Sequence, residues 1–102
     1  MFNLDPHVFV PEGISPNNDG VNDVLIIRGL ENYPGNELSI LNRWGALVYK
    51  KKIYDNTWDG TSNQGISYGD NKLPEGTYFY IIDLGKGKKP IKGFIYLSRA
   101  RD

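Results

Sequence analysis

The stretch "GTYFYIIDLGKGKKPIKGFIYLSR" (residues 76–99) holds two long apolar runs on either side of a lysine-rich segment with a central glycine. Tyrosine, phenylalanine and isoleucine are enriched in β-strands. A short glycine-containing loop between two such runs is typical of a β-hairpin. We therefore predict two strands, 76–85 and 91–99, joined by a loop at 86–90.

Shorter strand patterns precede this hairpin. Residues 37–45, "ELSILNRWG", alternate between two faces, and "ALVYKKK" follows directly, which predicts a tight hairpin or bend at Trp44-Gly45. Twelve glycines and six prolines argue against long helices. The remaining strand candidates are "HVFV" (7–10), "DVLIIRG" (23–29) and a short strand around 66–68. Together they predict a single all-β domain over residues 1–102, an antiparallel immunoglobulin-like β-sandwich of about seven strands.

The charged residues are balanced in number but not in position. Twelve basic and twelve acidic side chains give a formal net charge of +0, which argues against a nucleic-acid partner. The last seventeen residues, however, contain six basic side chains and one acidic side chain. We predict a partner-docking edge there, or charges that guard a strand edge against unwanted pairing. The basic residues are Lys86, Lys88, Lys89, Lys92, Arg99 and Arg101.

Catalysis is not expected. The chain has no cysteine, and its one histidine, His7, lies in a short strand pattern near the N-terminus. The glycines and lysines of 85–89 lack the strand and helix that a phosphate-binding loop requires. We predict that the protein is not an enzyme and has no catalytic residues.

The loop "SPNNDGVND" (15–23) is the one candidate metal site. The side chains of Asn17, Asp19 and Asp23 and the carbonyl oxygen of Val21 are oxygen ligands of the kind that calcium prefers. Ile26 stands where an EF-hand loop has its bidentate glutamate, so the alternative is an Asx-rich turn without metal. We expect no required cofactor, with calcium as the open alternative.

The large aromatic residues allow two interpretations. Trp44, Trp58, Tyr78 and Tyr80 are predicted to pack in the core. The alternative is a stacking surface for a sugar or a nucleic acid.

No segment is apolar for 18 residues, so no membrane-spanning helix is expected. The start, "MFNLDPHVFV", lacks the basic and long apolar regions of a Sec signal peptide. If the domain is exported, we expect its export signal elsewhere in a longer parent protein.

Five motifs occur in one order along the chain: "PNNDGVND" (16–23), "NRWG" (42–45), "WDG" (58–60), "LPEGTYFY" (73–80) and "KGFIYLSR" (92–99). In this order they resemble the gliding-motility-associated C-terminal domain, the type B sorting domain of the type IX secretion system. The likeness covers about nine-tenths of the chain. Asn18 departs from the glycine that is common in the loop of this family.

The resemblance implies a sorting signal at the C-terminus of a cell-surface adhesin or other exported protein. It also implies that, after Sec export to the periplasm, the passenger crosses the outer membrane to the cell surface or the medium. The implied partners are outer-membrane translocon components and a dedicated outer-membrane protein, and we expect a monomer. The alternative function is an extracellular adhesion module that binds glycan or calcium.

Overall fold

The computed structural model describes residues 8–16, 23–64, 71–85 and 87–99, and these form one five-stranded sheet. The order of strands across the sheet is β1-β5-β4-β2-β3. The elements are β1 (Gly13–Ile14), a short 3₁₀ helix (Leu30–Asn32), β2 (Glu37–Leu41), β3 (Leu47–Lys52), β4 (Gly76–Asp83) and β5 (Ile91–Leu97). The predicted all-β class is confirmed.

The predicted hairpin of residues 76–99 is present as β4 and β5, and it forms the middle of the sheet. Its register places Tyr78 opposite Ile95 and Phe79 opposite Phe94. The turn begins where Gly85 adopts a φ of 74°, a left-handed conformation that glycine enters without strain. The N–H of Lys88 donates to the carbonyl of Gly85 at 3.0 Å and closes the turn.

The predicted bend at Trp44-Gly45 is also confirmed as the turn of the β2–β3 hairpin. The side-chain oxygen of Asn42 accepts hydrogen bonds from the backbone N–H groups of Trp44 and Ala46, both at 3.0 Å. The Asn42 backbone N–H donates to the carbonyl of Ala46 at 2.9 Å, and Gly45 has a φ of 84°. A turn held by an asparagine and a left-handed glycine fixes the register of this hairpin.

The seven-stranded antiparallel sandwich is not what the described residues form. Two of the predicted strands, 7–10 and 23–29, meet only at an isolated bridge between Phe9 and Arg28. The N–H of Ile27 donates to the side-chain oxygen of Asn56 at 2.9 Å, so a side chain replaces a neighbouring strand there. Strand β1 pairs with β5 in parallel. The strand predicted around 66–68 lies outside the described residues.

The core lies between one face of the sheet and a layer of irregular chain. The sheet supplies Ile14, Leu38, Ile40, Val48, Tyr49, Tyr78, Tyr80, Ile82, Ile91, Ile95 and Leu97, and the other layer supplies Val8, Leu25, Ile27, Leu30, Tyr33, Tyr54, Trp58, Leu73 and Leu84. The predicted packing roles of Trp58, Tyr78 and Tyr80 are confirmed by their burial. That of Trp44 is wrong, because its side chain is 79% exposed at the tip of the β2–β3 hairpin.

Burial of tyrosine hydroxyls makes the stability sensitive to alkaline pH. Burial raises the pKa of Tyr54 far above its ordinary value of 10.0, and burial likewise raises the pKa values of Tyr49 and Tyr80. Above pH 10 the unfolded chain ionises these groups while the folded chain keeps them protonated. The free energy of unfolding should therefore fall as the pH rises above about 10.

Urea titrations at pH 8, 9, 10 and 11 measure this effect. We expect little change between pH 8 and 9 from these groups and a loss that grows from pH 10 upward. Tyr80→Phe removes one of the three groups and should make the alkaline loss shallower. An equally steep loss in that variant would assign the effect to other groups.

Candidate partner-binding surface

The sheet face that points away from the core is apolar along its middle. Cross-strand pairing places Leu41 opposite Phe79 and Phe79 opposite Phe94, so these side chains share that face. The rings of Phe79 and Phe94 lie 5.1 Å apart between centroids. Phe94 and Tyr96 are 53% and 46% exposed. We call this surface, formed by Leu41, Phe79, Ile81, Phe94 and Tyr96, the open face.

A groove of about 340 Å³ runs along the open face. It is lined by Leu41, Gly45, Phe79, Tyr80, Ile81, Lys92, Gly93 and Phe94. Gly45 belongs to the β2–β3 turn and follows Trp44, whose ring is exposed. The Arg43 guanidinium carbon lies 5.2 Å from the centroid of that ring, within the range of a cation–π contact.

Polar groups border the open face at both ends of β5. The hydroxyl of Tyr96 donates to a carboxylate oxygen of Glu75 at 3.0 Å. This hydrogen bond and, after it, the charge of Glu75 raise the pKa of Tyr96. At the other end Lys92 lies opposite Ile81 and is exposed. The face thus has an aromatic centre and a polar rim, the composition common at protein interfaces.

The structure places the predicted basic residues in different surroundings. Lys88, Lys89 and Lys92 are exposed at and just before the start of β5, and the ammonium nitrogen of Lys88 lies 5.6 Å from the ring centroid of Tyr33. Lys86 and Arg101 lie outside the described residues. A partner-binding role for this set stays a prediction.

Arg99 is held by the chain itself. Its guanidinium donates to the carbonyl of Leu73 at 3.0 Å and to the carbonyl of Gly60 at 2.8 Å. Its backbone N–H donates to Glu75 at 2.8 Å. These bonds attach the end of β5 to two connecting segments, so Arg99 has a structural role whatever else it binds.

The predicted calcium ligands Asn17, Asp19 and Val21 lie outside the described residues, and the fourth, Asp23, is partly buried. In the described part of the chain, no group of three or more histidine, cysteine, aspartate or glutamate side chains is placed to hold a metal ion. Calcium binding stays a prediction.

Sequence patterns did not identify the open face. Phe79 and Phe94 belong to strands that were predicted, but either of the two alternating faces of β4 could have been the covered one. The signal that marks the site is the cross-strand register, which brings the apolar residues of three strands together on the face opposite the core.

Comparison with known families gives a match over most of the chain. The model of the CHU_C type IX secretion signal domain matches residues 8–97 and confirms the resemblance inferred from the five motifs. No curated protein and no solved structure gives a significant match. Within the described residues, no helix is long and apolar enough to cross a membrane.

Proposed function

Because the chain belongs to the CHU_C family of type IX secretion signal domains, we propose that protein partners recognise it as a folded unit and bring its passenger across the outer membrane. Family membership makes the domain a sorting signal for export to the cell surface or the extracellular space. The family is one of secretion signals and not of enzymes. Under this proposal the passenger reaches the periplasm by Sec export and then meets the translocon and a dedicated outer-membrane protein.

The observation that supports recognition by a protein is the open face. Aromatic side chains are enriched where proteins bind one another, and a few of them supply most of the binding energy. Phe94 lies at the centre of the open face, contacts Phe79 and still exposes half of its surface. A partner that binds over this ring removes its exposed apolar area from water, and this favours binding.

The test is a reporter protein with a Sec signal at its N-terminus and residues 1–102 at its C-terminus, in a bacterium that has a type IX system. The unaltered fusion should reach the cell surface or the medium. Phe94→Asp should reduce export about tenfold or more, since it places a charge at the centre of the interface. The matched control is Ile26→Asp, because Ile26 is 48% exposed but belongs to the irregular layer that packs on the opposite face of the sheet.

Melting curves of both purified variants show whether the domain remains folded. Retention of a folded Phe94→Asp fusion in the periplasm, with normal export of Ile26→Asp, is the expected result. Normal export of both variants would show that the open face is not the recognised surface. Retention of the unaltered fusion would contradict the proposed function itself.

A further inference from the structure

We propose that the partner adds an extended strand to the free edge of β5 at residues 91–95, and that this strand carries a carboxylate beside Lys92. The inference rests on the proposed function and names the binding mode and the chemistry of the partner segment.

The edge of β5 is paired over only half its length. The N–H groups of Tyr96 and Ser98 point away from β4. They donate to the carbonyls of Glu12 and Ile14 at 2.9 and 3.0 Å, respectively. Since backbone groups alternate in direction along a strand, the N–H groups of Lys92 and Phe94 point the same way. In the described part of the chain, no backbone group beyond β5 bonds to either of them.

The chain before β1 leaves the edge of β5. The chain before Pro11 runs to the other layer, where Phe9 exchanges backbone hydrogen bonds of 2.9 and 3.1 Å with Arg28. The described chain therefore makes no backbone hydrogen bond to the outward N–H groups of Lys92 and Phe94, although Val10 and Pro11 still line the depression beside Phe94.

The opposite edge of the sheet is capped at Val48 and Lys50, in contrast to the unpaired part of the β5 edge. The side-chain amide of Asn63 accepts from the N–H of Lys50 at 2.9 Å and donates to its carbonyl at 3.0 Å, as a neighbouring strand would. The N–H of Asn63 donates to the carbonyl of Val48 at 2.9 Å. Proteins commonly protect exposed edges in such ways, and an unprotected edge is where a peptide adds as a further strand.

Side chains around the unpaired part of the β5 edge indicate the chemistry of the occupant. A depression of about 260 Å³ lies beside β5 and is lined by Val10, Pro11, Glu12, Thr77, Tyr80, Phe94, Ile95 and Tyr96. Its walls suit the apolar side chains of an extended segment. Lys92, Lys88 and Lys89 are exposed at one end, and Glu12 is exposed at the other. A segment with a carboxylate at the lysine end and a basic group at the Glu12 end complements these charges.

The first test compares Lys92→Pro with Lys92→Ala in the export assay. Both remove the charge, and only proline removes the outward N–H. Bonds between β4 and β5 are kept in both, because proline is tolerated where the N–H of an edge position faces solvent. We expect export of Lys92→Pro to be about tenfold or more below that of Lys92→Ala, since a lost hydrogen bond and a steric clash act together.

The second test uses the unaltered domain, in case proline unfolds β5. The probe is a capped synthetic peptide, Glu-Val-Thr-Val-Thr-Val-Lys, and its control has proline in place of the central valine. At millimolar concentration the probe should shift the amide NMR signals of Lys92 and Phe94 and slow their hydrogen exchange. The proline peptide should shift them far less.

The outcomes separate this inference from the proposed function. Equal export of folded Lys92→Pro and Lys92→Ala, or peptide shifts that are absent or lie elsewhere, would overturn strand addition while leaving the sorting role intact. Amides of Lys92 and Phe94 that are protected in the free chain, and become exposed when residues 1–7 are deleted, would assign the edge to the chain itself. That result also overturns the inference. An unaltered fusion that is not exported contradicts the proposed function instead.

Discussion

Trp58→Ala is expected to lower the free energy of unfolding by about 3–5 kcal/mol, which is the usual cost of truncating a large buried aromatic residue. Small domains are stable by only about 5–15 kcal/mol. The variant should therefore be largely unfolded under conditions where the parent domain is only moderately stable.

Trp58 is expected to have this effect because it joins the irregular layer to the sheet. Its side chain is 1% exposed, and its ring centroid lies 5.8 Å from that of Tyr49 on β3. Its indole N–H donates to the carbonyl of Thr61 at 2.8 Å, and its backbone carbonyl accepts from the N–H of Leu25 at 2.9 Å. Loss of the ring leaves a cavity at the junction of three segments.

A second set of bonds depends on the same residue. The hydroxyl of Tyr54 donates to the carbonyl of Leu25 at 2.6 Å and accepts from the N–H of Trp58 at 2.9 Å. These buried groups have few other partners within reach when the segment shifts, and an unsatisfied buried group costs about 1–3 kcal/mol. The hydrogen bonds of Tyr54 therefore oppose collapse of this segment into the cavity.

Guanidinium titrations of Trp58→Ala and Trp44→Ala measure the difference. Trp44 is the matched control, because it is the same residue type and 79% exposed. Its truncation should change the free energy of unfolding by no more than about 0.5 kcal/mol. Comparable losses in the two variants would mean that the assignment of one tryptophan to the core and the other to the surface is wrong.

The two tryptophans also show what the sequence could predict. Both precede or nearly precede a glycine, in "RWG" and "WDG", and both were predicted to be packed. Alternation along 37–45 places Leu38, Ile40 and Trp44 on one face, and the first two are buried in the core. It failed at Trp44 because the strand ends at Leu41 and the period of two does not continue through the turn. Burial of a residue in a turn depends on tertiary contacts that a local pattern does not contain.

The open face was unpredictable for a related reason. In β4 both alternating sets are apolar or aromatic, Tyr78, Tyr80 and Ile82 on one side and Phe79 and Ile81 on the other. Such a run fits a strand covered on both faces as well as a strand with one exposed apolar face. Only the position of the irregular layer decides which set is covered. The length of the hairpin could be predicted from the sequence. The open face, which is the candidate site on this hairpin, could not.

The pairing of β1 illustrates a third limit. Two residues, Gly13 and Ile14, carry no periodicity, and parallel pairing joins them to a strand more than eighty residues later in the chain. Gly13 fits there because a Cβ would lie 2.6 Å from the carbonyl oxygen of Tyr96. A close approach of two backbones of this kind has no signature in a single sequence beyond the glycine itself.

Gly93→Ala is expected to lower the free energy of unfolding by about 1–3 kcal/mol, as overpacked substitutions do. Gly93 lies directly opposite Tyr80, and a Cβ there would lie 2.5 Å from the hydroxyl oxygen and 2.7 Å from the adjacent ring carbon. Tyr80 is buried, so its ring has little room to withdraw. The absence of a side chain at Gly93 thus leaves space for the ring of Tyr80, which extends from β4 over the backbone of β5.

Tyr80→Leu supplies the background that separates this clash from any general effect of alanine in a strand. A leucine side chain does not extend as far across β5, so the added Cβ should meet no ring. There Gly93→Ala should be neutral or stabilising by up to about 1 kcal/mol, because alanine restricts the unfolded chain more than glycine does. The four proteins form a double-mutant cycle whose interaction free energy isolates the contact. A cost that is the same in both backgrounds would show that Gly93 is required by its backbone conformation and not by the ring of Tyr80.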